Sequence, residues 1–197
     1  MTYVTVITLA AYGLLLVFLA AMAVIDARTR LIPNGLVIAM AALWIIWRAA
    51  LGFAGRHTGI GFMAGLVSPA PDVPLLFGLS VTGVSLAGGL IGALVLGGGM
   101  LVITALFEAT ARKEAFGGGD IKLLAALGLF LGWERGLLCI LVACMISLGY
   151  ALVAALVRKI HERSQRKDAT SSDTTFAGTT IPFGPFIALG TLLAFVA

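Results

Sequence analysis

The sequence predicts an all-α integral-membrane bundle of about six transmembrane helices with both termini outside, and three observations predict it. Of the 197 residues, 60% are hydrophobic and only 11% are charged, against roughly 25% charged in soluble domains. Apolar runs of about 20 residues recur, each able to cross about 30 Å of hydrocarbon. The runs are continuous rather than alternating, which argues against a β-barrel. The basic residues collect between the runs, and they do so unevenly.

The first span is expected near Val4–Ile25. Ala21-Met22-Ala23 resembles a signal-cleavage site, but Met1-Thr2-Tyr3 carries no basic side chain. The apolar run also exceeds a signal core of about 7–15 residues, so it reads as a retained helix. Pro33 and Asn34 then make a turn, with Asn34 as the N-cap of a second span near Leu36–Phe53. Residues Ala54 to Ser80, with Pro69, Pro71 and Pro74, read as an irregular or interfacial loop. The third span lies within Val81–Phe107, where Gly88 and Gly92 have the spacing that permits close helix contact. That spacing reads as packing within the chain, and a homodimer is left open.

A fourth span begins around Asp120 and runs to about Leu131, with Asp120 as its N-cap. It is short, because Ile121–Gly132 gives only about 18 Å of helix, and Trp133 extends it at the far interface. Crossing is still preferred, since otherwise the basic stretch Arg158–Lys167 would face outside. A short helix leaves Asp120 slightly below the headgroups in a water-filled dip. The fifth span is expected near Leu137–Val157 and the sixth near Ile181–Val196, with residues 163–178 between them as a mobile cytoplasmic loop. Residues 1–197 are read as a single membrane domain.

Placing the loop after the first span inside gives the inside segments Arg28, Arg30, Arg112, Lys113, Lys122, Arg158, Lys159, Arg163, Arg166 and Lys167. The outside segments keep only Arg48, Arg56 and Arg135. This positive-inside bias puts both termini out. It also explains the net charge of +4 without a nucleic-acid partner. Cys139 and Cys144 lie in one apolar run with no C-x-x-C motif, and they read as packing residues rather than a metal or redox site.

Two acids stand out among nine. Asp26 precedes Ala27-Arg28-Thr29-Arg30-Leu31-Ile32-Pro33-Asn34, and Asp120 follows Gly117-Gly118-Gly119. Carboxylates beside a bilayer are costly and therefore functional candidates. Alone, Asp26 can be a polar residue closing a helix and Asp120 a turn residue. Two spans separate them, so both emerge on the cytoplasmic side, where an acid–base pair could activate water for peptide hydrolysis. The three glycines bare the backbone beside Asp120, where a peptide could lie as an extended strand. Lys122 reads first as an interfacial anchor and second as a charge favouring ionised Asp120.

The combination resembles the prepilin peptidases, membrane aspartic proteases of type IV pilus and type II secretion systems. The residues that carry the resemblance are Asp26 with Ile32-Pro33-Asn34, Gly117-Gly118-Gly119-Asp120-Ile121-Lys122-Leu123-Leu124-Ala125-Ala126-Leu127-Gly128, Leu131-Gly132-Trp133, and Ile181-Pro182-Phe183-Gly184-Pro185-Phe186. The GxGD element is shared with presenilin-like proteases; the flanking residues are more specific. The resemblance implies Asp26 and Asp120 as a catalytic dyad, with Gly117, Gly118, Gly119, Lys122, Pro33 and Asn34 shaping the site or binding substrate. It implies a prepilin or pseudopilin substrate, cleaved after a leader glycine on the cytoplasmic side of the bacterial inner membrane, with no metal or other cofactor. Larger members carry paired cysteines and also N-methylate the product. The chain has no such pair and looks like the compact, tight-adherence (Flp) pilus form, so methyl transfer is not assigned. The competing readings are a small transporter, for which only Glu108 near the end of the third span speaks, and a non-catalytic pilus or secretion assembly protein.

Overall fold

The computed structural model describes residues 3–70, 72–74, 80–81, 83–111, 117–165 and 183–196. In chain order these form α1 (Tyr3–Thr29), α2 (Asn34–His57), α3 (Phe62–Val67), the two-residue strands β1 (Val73–Pro74) and β2 (Ser80–Val81), α4 (Leu86–Ala93), a π-helical turn (Leu94–Gly98), α5 (Gly99–Ala111), α6 (Gly118–Gln165) and α7 (Gly184–Val196). Among the described residues, four helical stretches are long and apolar enough to cross a membrane: α1, α2, Leu86–Thr110 through the π turn, and Gly118–Val157, with α7 a shorter apolar helix. The chain is thus a helical membrane bundle, as its composition predicts.

Gly132 decides how the long α6 counts. Its backbone lies at φ 73°, ψ −174°, a region open essentially to glycine alone. Before it, Gly128 lies against Gly92 and Leu129 against Gly89; after it, Gly136 lies against Leu96. The chain therefore climbs along α4 in one direction and returns in the other. The spans expected near 120–131 and 137–157 are helical over 118–131 and 133–165, joined by a one-residue corner rather than by a loop. The first piece is about 21 Å long at 1.5 Å per residue.

The approach at this corner is backbone to backbone. A Cβ on Gly92 would sit 2.3 Å from the Gly128 carbonyl oxygen, and one on Gly128 would sit 2.5 Å from Gly92. Gly89 and Gly92 face α6, whereas Gly88 lies against Val84 and Ser85 of its own segment. The glycines of the third span thus pack within the chain, though not through the Gly88–Gly92 pair.

α1 runs antiparallel to α2 and α7, and α7 antiparallel to the second piece of α6, whereas α2 and the first piece of α6 run parallel. Tyr12 of α1 meets Trp47 of α2 and Phe195 of α7, with ring centroids 5.4 and 5.3 Å apart. Tyr150 of α6 meets Phe186 of α7 at 5.6 Å, and Cys139 packs near Ile187 and Thr191. Phe130 completes an aromatic core by stacking on Trp47 at 5.9 Å. Outward residues such as Val17, Ile45 and Leu141 leave more than half their surface exposed, as a lipid-facing shell requires. Cys144 is exposed while Cys139 is buried. One end of the bundle gathers the α1–α2 corner and the starts of α6 and α7. The other gathers α3, the strands and Gly132.

Several local expectations need correction. Part of the loop expected from Ala54 is helical: α2 continues to His57 and α3 folds back on it, with a Cβ on Gly65 meeting Leu51 O at 2.6 Å and Gly55 Cα at 3.1 Å. Arg48 is not a loop residue but a buried one, 2% exposed within α2. Its guanidinium donates to the carbonyls of Val84 (3.1 Å) and Ser68 (3.0 Å) and to that of Leu66. The cation satisfies carbonyls that end α3 and precede α4, which no helical bond could serve. The N-cap of α2 is Pro33, at φ −70°, ψ 123°, which leaves Asn34 as the first helical residue. Asp120 stands in the first turn of α6, two residues inside its start, rather than at the cap. In the loop expected at 163–178, residues 163–165 are helical and the remainder lies outside the described residues, as do Ile181 and Pro182 of the sixth span.

Candidate active site

The site is built where α1 ends. Arg30 takes a left-handed conformation (φ 55°), and its N–H returns to the Asp26 carbonyl at 2.8 Å. This is a helix C-terminal closure. It reverses the chain through Leu31, Ile32 and Pro33 into α2 and leaves Asp26 on the inner face of the last turn of α1. Asp26 is 5% exposed.

The second acid arrives with the start of α6. Gly117 precedes the helix, and the Asp120 N–H bonds to its carbonyl at 3.0 Å. The three glycines are not equivalent. A Cβ on Gly119 would lie 2.9 Å from Ile32 Cβ, so its bareness lets the first turn of α6 close on the α1–α2 corner. A Cβ on Gly117 would lie 3.3 Å from Asp120 Oδ2, and one on Gly118 would meet nothing within 4 Å. Lys122 clamps the same junction by donating to Asn34 Oδ1 at 3.1 Å. The side chain expected to cap α2 therefore ties α2 to α6, and Lys122 is a tether more than a free anchor. Asp26 and Asp120, distant in sequence, come within range of each other's charge. Asp120 is half-buried.

A residue absent from the sequence-based site completes the corner. The Gly184 N–H, first in α7, donates to Asp26 Oδ2 at 2.8 Å. A Cβ on Gly184 would stand 2.7 Å from that oxygen, so only glycine permits the approach. The signal was present as Phe183-Gly184-Pro185, but its role rests on a backbone amide, which a sequence does not display. On the other flank a cavity of about 390 Å³ opens between α5 and α6. Leu101, Thr104, Glu108, Gly117, Gly118 and Ile121 line it, the last three within one turn of Asp120. All the expected site residues thus gather at one end of the bundle, with Gly118 facing open space toward the cavity. Chemically, the arrangement offers two carboxyl groups, one of them held by an amide, beside bare backbone and an open cavity.

The profile of the type IV leader peptidase family matches residues 13–152. Relatives named prepilin leader peptidase/N-methyltransferase are 29% identical in Escherichia coli K12 (89% of this chain, 58% of the relative) and 31% identical in Pectobacterium carotovorum (90% and 47%). One from Dickeya chrysanthemi is 30% identical over 95% of this chain and 51% of the relative. The chain spans about half the length of these curated relatives. No solved structure matches it significantly. The matched stretch runs from the middle of α1 through Asp26, the glycine turn and Asp120, and on this ground the chain belongs to the type IV leader peptidase family.

Proposed function

We propose that the chain is a membrane-embedded aspartic endopeptidase that removes the leader peptide of type IV prepilins or pseudopilins. The observation that carries the proposal is the convergence of Asp26 and Asp120 at one end of an otherwise apolar bundle. Two close carboxyls share a proton, because both cannot easily ionise together. The ionised member takes a proton from water as the water oxygen attacks the scissile carbonyl carbon. The protonated member gives its proton to the carbonyl oxygen. The tetrahedral species then collapses, the C–N bond breaks, and the amine nitrogen takes up a proton.

Gly117 offers bare backbone beside Asp120 along which the substrate segment lies extended, Gly119 lets α6 close on the α1–α2 corner, and Pro33, Asn34 and Lys122 fix the opposite wall. The positive-inside bias supports a cytoplasmic site in the bacterial inner membrane, with both termini outside. Burial of Arg48 removes one of the three basic residues counted outside and strengthens that bias. The proposal covers peptide cleavage by a single domain and needs no cofactor.

Purified protein reconstituted in liposomes with a prepilin should yield the shortened product. Asp26→Asn and Asp120→Asn should each lower the rate by roughly 10²–10⁴-fold with unfolding temperatures unchanged. Near-normal processing by either variant would refute the dyad. An intact prepilin with the unmodified protein would return the chain to the transporter or assembly-protein readings.

A further inference from the structure

The two acids of the pair are not equivalent, and α7 makes the difference. A helix begins with four amides that no intrahelical carbonyl can serve. In α7 each is accounted for. Phe186 N–H and Ile187 N–H both bond to the Phe183 carbonyl, at 3.0 and 3.1 Å. Pro185 has no N–H. The remaining donor, Gly184 N–H, goes to Asp26 Oδ2 at 2.8 Å. A carboxylate at a helix N-terminus is favoured by both the direct bond and the helix dipole.

Asp120 also stands near a helix start, so the dipole alone does not separate the two. The direct bond does, because no donor among the described residues reaches the Asp120 carboxyl, and a charge-assisted hydrogen bond outweighs the dipole effect. Among the described residues, other charged groups do not reverse this. Around Asp26 stand Arg28 and Arg30 from its own end of the chain and Asp120 and Lys122 from α6, with Lys122 engaged by Asn34. α7 carries no titratable group, and the charged residues of α2, Arg48, Arg56 and His57, lie toward its far end.

Resting on the peptidase reading, we infer that the Gly184 amide fixes the division of labour: Asp26 is held as the carboxylate and acts as the base toward water, and Asp120 carries the proton that goes to the scissile carbonyl oxygen. Gly184 is then a positioning residue. Its missing side chain is required because a Cβ would displace the Asp26 oxygen it serves.

The test is the pH–rate profile of kcat for prepilin cleavage by the reconstituted full chain. It compares the unmodified protein, Gly184→Ala, and a chain carrying glycolic acid at position 184, whose backbone ester lacks only the N–H. Loss of the charge-assisted bond should move the acid limb to higher pH by roughly one to two units. The alkaline limb, set by loss of the Asp120 proton, should stay fixed. An acid limb that does not move, or an alkaline limb that moves instead, overturns the assignment. A merely structural role for Gly184 would lower the rate without shifting either limb. Should Gly184→Ala fail to fold, the ester chain decides. Absence of product from the unmodified protein would sink the peptidase reading itself, a result distinct from an unshifted limb.

Discussion

Gly118 and Gly119 are adjacent and chemically identical, yet a methyl group on each should have different effects. On Gly119 it would enter the space of Ile32 Cβ at 2.9 Å, while on Gly118 it would meet nothing within 4 Å. Overpacking of this kind costs about 1–3 kcal/mol, and a displaced acid at a reacting centre costs about 100-fold in rate. Gly119→Ala should therefore cut prepilin cleavage by about 10-fold or more, and Gly118→Ala should stay within about 3-fold. Equal losses in the same liposome assay would show that the turn needs all three glycines for flexibility rather than one for contact. The acids themselves were legible in the sequence, since a carboxylate beside hydrophobic runs has few structural reasons to be there. Gly184 was not legible as a site residue. Its contribution is an amide and an empty space, and both depend on α1 and α7 meeting across most of the chain.

At the scale of the helices, the fourth span was the uncertain element, and charge balance resolved it. Length alone would have left 118–131 ambiguous; the basic residues after the fifth span required a crossing. The corner at Gly132 was beyond sequence reasoning, because a single residue at φ 73°, ψ −174° leaves no loop to recognise. Gly132→Ala should cost about 1–3 kcal/mol through backbone strain. Gly128→Ala should cost at least as much, because its Cβ would collide with Gly92 backbone at 2.5 Å, and backbone cannot step aside as a side chain can. Thermal unfolding in detergent should show both losses, and unfolding temperatures like the unmodified chain's would contradict the hairpin. Arg48 escaped sequence reading for a related reason. An arginine near a helix end is counted by the charge rule as a loop residue, whereas here it bonds to the carbonyls of Leu66, Ser68 and Val84. Arg48→Met keeps the apolar stem and leaves those carbonyls unserved, at about 1–3 kcal/mol for each group that water does not reach. The expected sign is faster protease cleavage between α2 and α4 than in the unmodified protein. Unchanged cleavage would mean that α3 is held by the Gly55–Gly65 approach alone.

For the molecule as a whole, the fold and the orientation are separate claims, and one labelling experiment separates them. Lys122 is exposed at the end that gathers Asp26, Asp120 and Gly184, while Trp133, 47% exposed, stands just past the corner at the opposite end. The piece between them is about 16 Å of helix, shorter than the hydrocarbon core of about 30 Å. It reaches across only if the bilayer or the bundle thins there, or if water enters from the site side. A protease needs the last of these, because its co-substrate is water. In a chain with Cys139 and Cys144 replaced, Lys122→Cys should react with a membrane-impermeant thiol reagent only from the cytoplasmic face, and Trp133→Cys only from the other. Reaction of both from one face would deny that 118–131 crosses and would dissolve the hairpin reading of α6. Reaction of each from the wrong face would leave the bundle intact and turn it over, placing the acids outside. The fold predicts that the two positions differ, and the distribution of arginine and lysine predicts which is which. A cytoplasmic Lys122→Cys that also labels faster in inverted vesicles than Trp133→Cys does in intact cells would match a solvated depression around Asp120. Water at the acids is what an apolar bundle must admit at one end if it is to hydrolyse a peptide bond.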